Sequence, residues 1–113
     1  MKKSELSSSN LPHLPNLPDP PNLKDLFQAL LELRTAQECE RFLSDLCTPA
    51  ELLSMADRWR AAQLLAQGMP YRSIYEKTGV STATVTRVAR ALTYGEGGYR
   101  MIINRKRKKE SRA

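Results

Sequence analysis

Residues 70–92 read PYRSIYEKTGVSTATVTRVARAL, and they govern the fold that the sequence predicts. Two short helical patterns lie on either side of Gly79. Ile74 belongs to the first pattern, and Val80 is expected to pack into the turn that follows it. Ser81 is a good N-cap for the second pattern, because its hydroxyl can accept an amide proton of the next turn. A helix, a glycine turn and a second helix of this length predict a helix-turn-helix.

The second helical pattern has two different faces. Its apolar residues recur at i, i+3, i+4 and i+7, as on one face of a helix; they are Val85, Val88, Ala89 and Leu92. The opposite face carries Thr82 at its N-terminal edge, then Ala83, Thr86, Arg87 and Arg90. When the second helix of a helix-turn-helix has an apolar inward face and an outward face of small, polar or basic residues, it is expected to read the bases of a DNA major groove.

Charge is distributed unevenly along the 113 residues. Residues 100–113 hold seven basic side chains and one acidic one, so they carry the whole net charge of +6, whereas residues 1–99 hold eleven of each sign. Within that neutral part, residues 23–57 sum to −4 and residues 58–99 to +4. The half with the helix-turn-helix is therefore the basic half, which favours an acidic partner such as DNA.

The sequence gives no indication of an enzyme, a metal centre or a membrane protein. Cys39 and Cys47 are eight residues apart on one predicted helix, about 12 Å of rise, which is too far for a disulfide. We expect both to be small buried apolar groups in a reducing cytoplasm. No apolar run has the length of a membrane span, and the single histidine, His13, lies in a proline-rich segment without metal-binding or catalytic neighbours. We therefore expect a cytoplasmic protein without catalytic residues, metal ligands or a cofactor.

Residues 1–21 contain five of the seven prolines. Because proline lacks an amide donor and disfavours a helix in the residue before it, these residues are expected to form an extended, largely disordered arm. A solvated tail and a short docking motif are both compatible with its composition.

Three helices are predicted between this arm and the helix-turn-helix, over about residues 23–34, 35–47 and 49–67, with caps at Asn22, Thr35 and Thr48. Thr35 with Glu38 forms a capping box, and Thr48-Pro49-Ala50-Glu51 combines a cap, a proline at the first helical position and a glutamate at the third. The expected buried faces are Leu23, Leu26, Phe27, Leu30 and Leu31 on the first helix, Cys39, Phe42, Leu43 and Leu46 on the second, and Leu52, Met55, Ala56, Trp59, Ala62 and Ala66 on the third.

These three helices carry more apolar surface than about 80 ordered residues can bury within one copy. A second copy would cover it, and two-fold pairing would place two recognition helices about 34 Å apart, the spacing of successive major grooves. We therefore expect a homodimer; the alternative is a monomer with a compact helical core.

Beyond Leu92 the glycines of residues 93–99 predict a turn, since each costs backbone entropy in a helix. Arg100–Ile103 are expected to make a short apolar contact, and residues 104–113 to form a mobile basic tail. Two interpretations of the tail remain open. Its cations either bind nucleic acid without sequence preference by releasing counterions, or are solvated and have no partner.

Residues spread over about 23–103 also match a known family pattern. They are Asp45-Leu46-Cys47-Thr48 with Glu51, Ala56-Asp57-Arg58, Ala62, Leu65, Gly68, Tyr71, Thr78-Gly79, the run Ser81-Thr82-Ala83-Thr84-Val85-Thr86-Arg87-Val88, and Leu92-Thr93-Tyr94-Gly95. With these residues the chain resembles the Trp repressor-like superfamily, and most closely its YerC/YecD family. The resemblance implies an all-α domain, here residues 22–103, that forms an intertwined homodimer and binds operator DNA in bacteria.

The same resemblance implies a ligand site. A tryptophan corepressor would be held by Thr48, Arg58 and Arg87. Two positions depart from the pattern, because Val88 replaces a glycine that leaves room for the indole ring, and Ala91 replaces a serine that receives the ligand's amino group. Val88 also lies on the apolar face of its helix and would fill the cavity. We expect the protein to bind DNA without tryptophan.

Each exposed residue of the motif has an expected role on double-stranded DNA. Thr82, Ala83 and Thr86 are placed at base edges, where hydroxyl and methyl groups can discriminate bases. Arg90 is expected to contact phosphate. Arg72 resembles an arginine of Trp repressor that reaches a base or a phosphate. Arg87 is expected either to contact phosphate or to pair with an acid inside the dimer. With Ser81 these residues make up the candidate DNA-binding set, and a solvated helix face is the alternative for every one.

The function that follows is a sequence-specific, DNA-binding regulator of transcription, with any small-molecule effector unidentified. The alternative is a helical protein–protein interaction module that keeps the helix-turn-helix as a scaffold.

Overall fold

The computed structural model describes residues 20–112, which form six helices and no strand. They are α1 (Pro20–Leu30), α2 (Ala36–Leu46), α3 (Pro49–Ala66), α4 (Tyr71–Thr78), α5 (Thr82–Tyr94) and α6 (Gly98–Arg112). The expected all-α class is confirmed, whereas the predicted arm lies almost wholly outside the described residues. The chain divides after Leu46 into two compact units.

The first unit contains α1 and α2. α1 begins at Pro20, ahead of the expected cap at Asn22, and it ends at Leu30 rather than near Arg34. The predicted start after Asn22 is therefore wrong. Prolines are tolerated in the first turn of a helix, where their missing amide protons would have no acceptor.

The predicted capping box at the start of α2 forms in part. Glu38 N donates to Thr35 Oγ1 over 3.1 Å, as expected. The Glu38 carboxylate accepts from Arg34 N over 2.8 Å rather than from the amide of the cap residue itself. The box therefore closes one residue earlier than the pattern predicts.

The apolar faces predicted for α1 and α2 are not buried within this unit. No side chain of residues 22–46 is buried, and Leu31 and Leu46 are 82% and 50% exposed. Cys39 and Cys47 are free thiols and half-buried, not buried as expected. One copy of this unit therefore covers its apolar stripes only in part.

The second unit begins with the predicted start of α3. Thr48 Oγ1 accepts from Glu51 N over 3.1 Å, and Glu51 Oε1 accepts from Thr48 N over 2.8 Å. Pro49 occupies the first turn. This complete capping box confirms the predicted helix start, and α3 ends at Ala66, just before Gly68.

The core of the second unit draws on all four of its helices and on the turn within the helix-turn-helix. Its buried side chains are Ala61, Ala62 and Leu64 of α3, Ile74, Val80, Val85 and Val88 of the helix-turn-helix, and Ile103 of α6. The predicted face of α3 is wrong in its N-terminal half, where Met55 and Ala56 are exposed. The C-terminal half of α3 buries more than one stripe, because α3 contacts α4, α5 and α6.

Residues 98–112 form helix α6, where the sequence predicted a turn through Tyr99 and a mobile tail from residue 104. Two aromatic rings explain part of the difference: Tyr99 stacks on Trp59 of α3, with 6.3 Å between ring centroids and 20° between planes. One turn further on, Ile103 is buried in the core. These contacts give α6 the tertiary support that a short, strongly basic helix lacks alone.

Two arginines of α6 bond to the C-terminal ends of other helices. Arg100 Nε donates to Leu92 O at the end of α5 over 3.3 Å, and Arg107 Nη2 donates to Ala66 O at the end of α3 over 3.4 Å. A cation at a helix C-terminus satisfies a free carbonyl and interacts favourably with the helix dipole. α6 is thus joined to the rest of its unit at both its first and third turns.

Candidate nucleic-acid interface

Helices α4 and α5 and the turn between them form a helix-turn-helix. Gly79 follows α4 with a φ of +79°, and its amide donates to Tyr75 O over 2.7 Å. This left-handed conformation is one that glycine adopts at little cost. Val80 comes next and is buried, 3% exposed, as expected for the residue that holds the turn against the core.

Thr78 stabilises the same turn through two hydrogen bonds, a role not expected from the sequence. Its hydroxyl donates to Ile74 O over 2.7 Å and accepts from Val80 N over 3.0 Å. A threonine directly before the glycine of a helix-turn-helix could have indicated this, since threonine side chains often bond to the backbone at helix ends.

Ser81 caps the N-terminus of α5. Its Oγ accepts from Thr84 N over 3.2 Å and donates to Thr84 Oγ1 over 3.0 Å. The hydroxyl is exposed but already engaged in two bonds. Its observed role is to fix the first turn of α5.

The two faces of α5 are separated as the periodicity predicts. Val85 and Val88 are 0% and 1% exposed, and Ala89 and Leu92 are half-buried behind them. The predicted DNA-facing residues of this helix all lie on the exposed side; they are Thr82, Ala83, Thr86, Arg87 and Arg90.

Arg72 lies in the first turn of α4, and its side chain is 87% exposed. Its Nε is 4.0 Å from Glu76 Oε2, one turn along the same helix. An exposed pair at this separation contributes little to stability, so the guanidinium is available to an external anion.

Comparison with known proteins settles the family. The model of the family described as Trp repressor protein matches residues 21–107. The chain belongs to the Trp repressor family. It is 43% identical over 89 residues to the protein named Uncharacterized protein YerC from Bacillus subtilis (strain 168), a match covering 79% of this chain and 86% of that relative.

Two solved structures of Trp repressor-like proteins are also similar to this chain. A TrpR like protein from Eubacterium eligens superposes with a TM-score of 0.72 at 43% identity, covering 74% of this chain and 87% of that one. A putative Trp repressor from Staphylococcus aureus gives a TM-score of 0.74 at 41% identity, covering 76% and 86%. Both the expected resemblance and the Trp repressor-like fold are thereby confirmed.

Two of the three residues that the resemblance assigns to a corepressor site make side-chain bonds within this chain. Thr48 caps α3, Arg58 Nη1 donates to Ser54 Oγ over 2.9 Å, and Arg87 is exposed on α5. Val88, where the resemblance implies a glycine, is buried in the core, and Ala91 is half-buried.

Two surface pockets lie elsewhere. One, of about 110 Å³, is lined by Gln63, Gln67, Ile103, Lys106, Arg107 and Glu110. The other, of about 340 Å³, is lined by Leu33, Glu38, Arg41, Phe42 and Asp45. Neither pocket includes the residues matched to the corepressor site.

Among residues 20–112, no three His, Cys, Asp or Glu side chains are grouped so as to hold a metal ion. Over the same range, no helix combines the length and apolar character needed to cross a membrane.

Proposed function

We propose that this member of the Trp repressor family is a sequence-specific regulator of transcription that binds double-stranded DNA in the bacterial cytoplasm. The observation that carries the proposal is the exposed face of α5, where Thr82, Ala83 and Thr86 lie open while Val85 and Val88 anchor the helix from behind. A helix held in this way can enter a major groove without disturbing its own core.

The residues of the interface divide into two kinds of contact. Thr82, Ala83 and Thr86 discriminate bases through their hydroxyl and methyl groups. Arg72, Arg87 and Arg90 bind phosphates and set the position of the protein on the duplex. Ser81 acts indirectly, because its hydroxyl holds the first turn of α5 in place.

Selection of bound fragments from a pool of random duplex DNA tests this function. A common motif should emerge for the wild type. Thr86→Val should relax the preference at one base position, whereas Arg90→Ala should weaken every sequence alike and lower the salt slope by about one. The absence of any enriched motif would contradict the proposal, as would equal losses on all sequences for both variants.

DNA binding by this chain is proposed to be independent of tryptophan. The buried Val88 side chain occupies the position where the family has a glycine, and Ala91 offers no hydroxyl to a ligand's amino group. Calorimetric titration with L-tryptophan should therefore show no binding, and the selected DNA should bind equally well with and without it. Micromolar affinity for tryptophan would overturn this point.

We also propose that the protein acts as a homodimer. Leu31, Leu46 and Leu53 are 82%, 50% and 67% exposed in a single copy, and burying large apolar side chains against a second copy is favourable. Sedimentation equilibrium should give twice the chain mass of 12.8 kDa. A Leu53→Asp variant should shift the protein toward the monomer, and a wild type that stays monomeric at high concentration would exclude the dimer.

The same exposed leucines favour a second candidate, a helical module that binds another protein and uses the helix-turn-helix only as a scaffold. A mobility shift on DNA decides between the two. Binding that persists at physiological salt and is poorly displaced by random DNA supports the regulator. Binding that is completely displaced by random DNA supports the module.

A further inference from the structure

Four cations of α6 lie on one face of the helix. Arg105, Lys108, Lys109 and Arg112 recur at i, i+3, i+4 and i+7, and all four are exposed. At 100° per residue this face, here called the basic stripe, lies opposite Ile103, which is buried in the core. The stripe is therefore an external surface of a helix whose other side is docked.

The basic stripe has no partner of opposite charge among residues 20–112. The ion pair found in that range joins Arg72 to Glu76 and involves none of the four. Glu110, the acidic residue of α6, lines the pocket with Gln63 and Lys106 on the docked side. Like charges three and four residues apart disfavour a helix, so an anionic partner would stabilise this one.

The position of the stripe is fixed by the contacts between α6 and α3. Tyr99 stacks on Trp59, and two turns later Arg107 bonds to Ala66 O, so the two helices run in the same direction. The C-terminal half of α6 thus lies where α3 ends and the chain turns into α4. Arg72 is six residues beyond Ala66, a chain path that spans about 20 Å at most.

From this placement we infer that the basic stripe is a second DNA contact, which binds phosphates outside the groove read by α5. The stripe spans eight residues and rises about 10 Å. Duplex DNA carries one charge per about 1.7 Å of its axis, so one face can meet several phosphates at once. The contact adds affinity without sequence preference. It extends the DNA-binding function proposed above.

DNA fits the stripe better than a lipid surface does. A helix that lies in a membrane interface inserts an apolar face, and here Tyr99 and Ile103 pack that face against the protein. α6 packs on α3, which also contacts both helices of the helix-turn-helix, so the stripe belongs to the same unit as the residues already assigned to a duplex. RNA and lipid remain outcomes of the test.

The test is the salt dependence of binding to a short duplex of random sequence. Replacing all four stripe residues by glutamine should reduce the slope of log K against log salt by about 3 to 4, at about 0.9 per phosphate contact. Between about 50 and 200 mM salt, the wild type should therefore lose roughly a hundredfold more affinity than the variant. An unchanged slope would overturn the inference.

Lys109→Gln and Lys106→Gln form a matched pair, with the same substitution and charge on the same helix. Lys109 lies on the stripe, whereas Lys106 lines the docked pocket. Lys109→Gln should lower the slope by about one and Lys106→Gln by less than half as much; equal effects would mean that only net charge matters. Circular dichroism and Trp59 fluorescence verify that every variant keeps its fold.

Two further measurements separate this inference from the proposed function. The four-residue variant should select the same motif from random DNA as the wild type; a changed motif would contradict a sequence-independent contact. If the wild type selects no motif, the regulator proposal fails, while the slope still decides the role of the stripe. If the four-residue variant loses more affinity for single-stranded RNA or for phosphatidylserine vesicles than for duplex DNA, the stripe belongs to that partner and the inference is overturned.

Discussion

Replacement of Val88 by alanine tests whether α5 is anchored through its inward face. The side chain is 1% exposed and belongs to the core cluster with Ile74 and Val85. Alanine removes two methyl-sized groups, at about 0.8 kcal/mol each for the transfer from water. The cavity left behind adds a further cost, so the free energy of unfolding should fall by about 2–3 kcal/mol.

Urea denaturation followed by circular dichroism measures this loss. Thr86→Ala is a close control, because threonine has nearly the shape of valine and lies two residues away on the exposed face of the same helix. The control should change the free energy of unfolding by no more than about 0.5 kcal/mol. Both variants are compared at one protein concentration, since the stability of a dimer depends on it.

The outcome separates two arrangements of α5. A large loss for Val88→Ala, with an unchanged denaturant slope m, means that a packed native side chain was truncated. Equal losses for Val88→Ala and Thr86→Ala would refute the assignment of inward and outward faces, and with it the proposed DNA surface.

Three further variants test local features of the second unit. Thr48→Ala removes the cap bond to Glu51 and should cost about 1 kcal/mol in urea denaturation, whereas a change within error would show that the box contributes nothing. Gly79→Ala should lower the free energy of unfolding by about 1–2 kcal/mol through the left-handed backbone alone, because an added Cβ meets no atom within 4 Å. Gly79→Asn should lower it by less, and the reverse order would contradict this explanation. Tyr99→Leu should lower the free energy of unfolding by about 0.5–1.5 kcal/mol through the lost stacking on Trp59. It should also alter the fluorescence emission of Trp59, the single tryptophan of the chain; unaltered emission would argue against the stack.

Local features were predictable because their causes are local. A capping threonine three residues before a glutamate, and a glycine in a left-handed turn, act through atoms that are neighbours in sequence. The starts of α3 and α5 and the turn at Gly79 therefore follow from a few residues each. The inward valines of α5 follow from helical periodicity in the same way.

The features that were missed depend on contacts between distant residues. The basic composition of residues 104–112 gives little reason to expect a helix. The support comes from the packing of Tyr99 on Trp59, the burial of Ile103 and the bond from Arg107 to Ala66. The buried face of α3 was misjudged for the same reason. Its width is set by how many helices contact it, which periodicity along one helix cannot convey.

The division of α5 between an anchored and an open face bears on how this family diversifies. Thr82, Ala83 and Thr86 take no part in the core, so, on the proposed function, mutations there would alter target choice with little loss in the free energy of unfolding. Gene duplicates could thus acquire new operators while keeping one scaffold, and an engineer could retarget the protein by randomising these three positions alone.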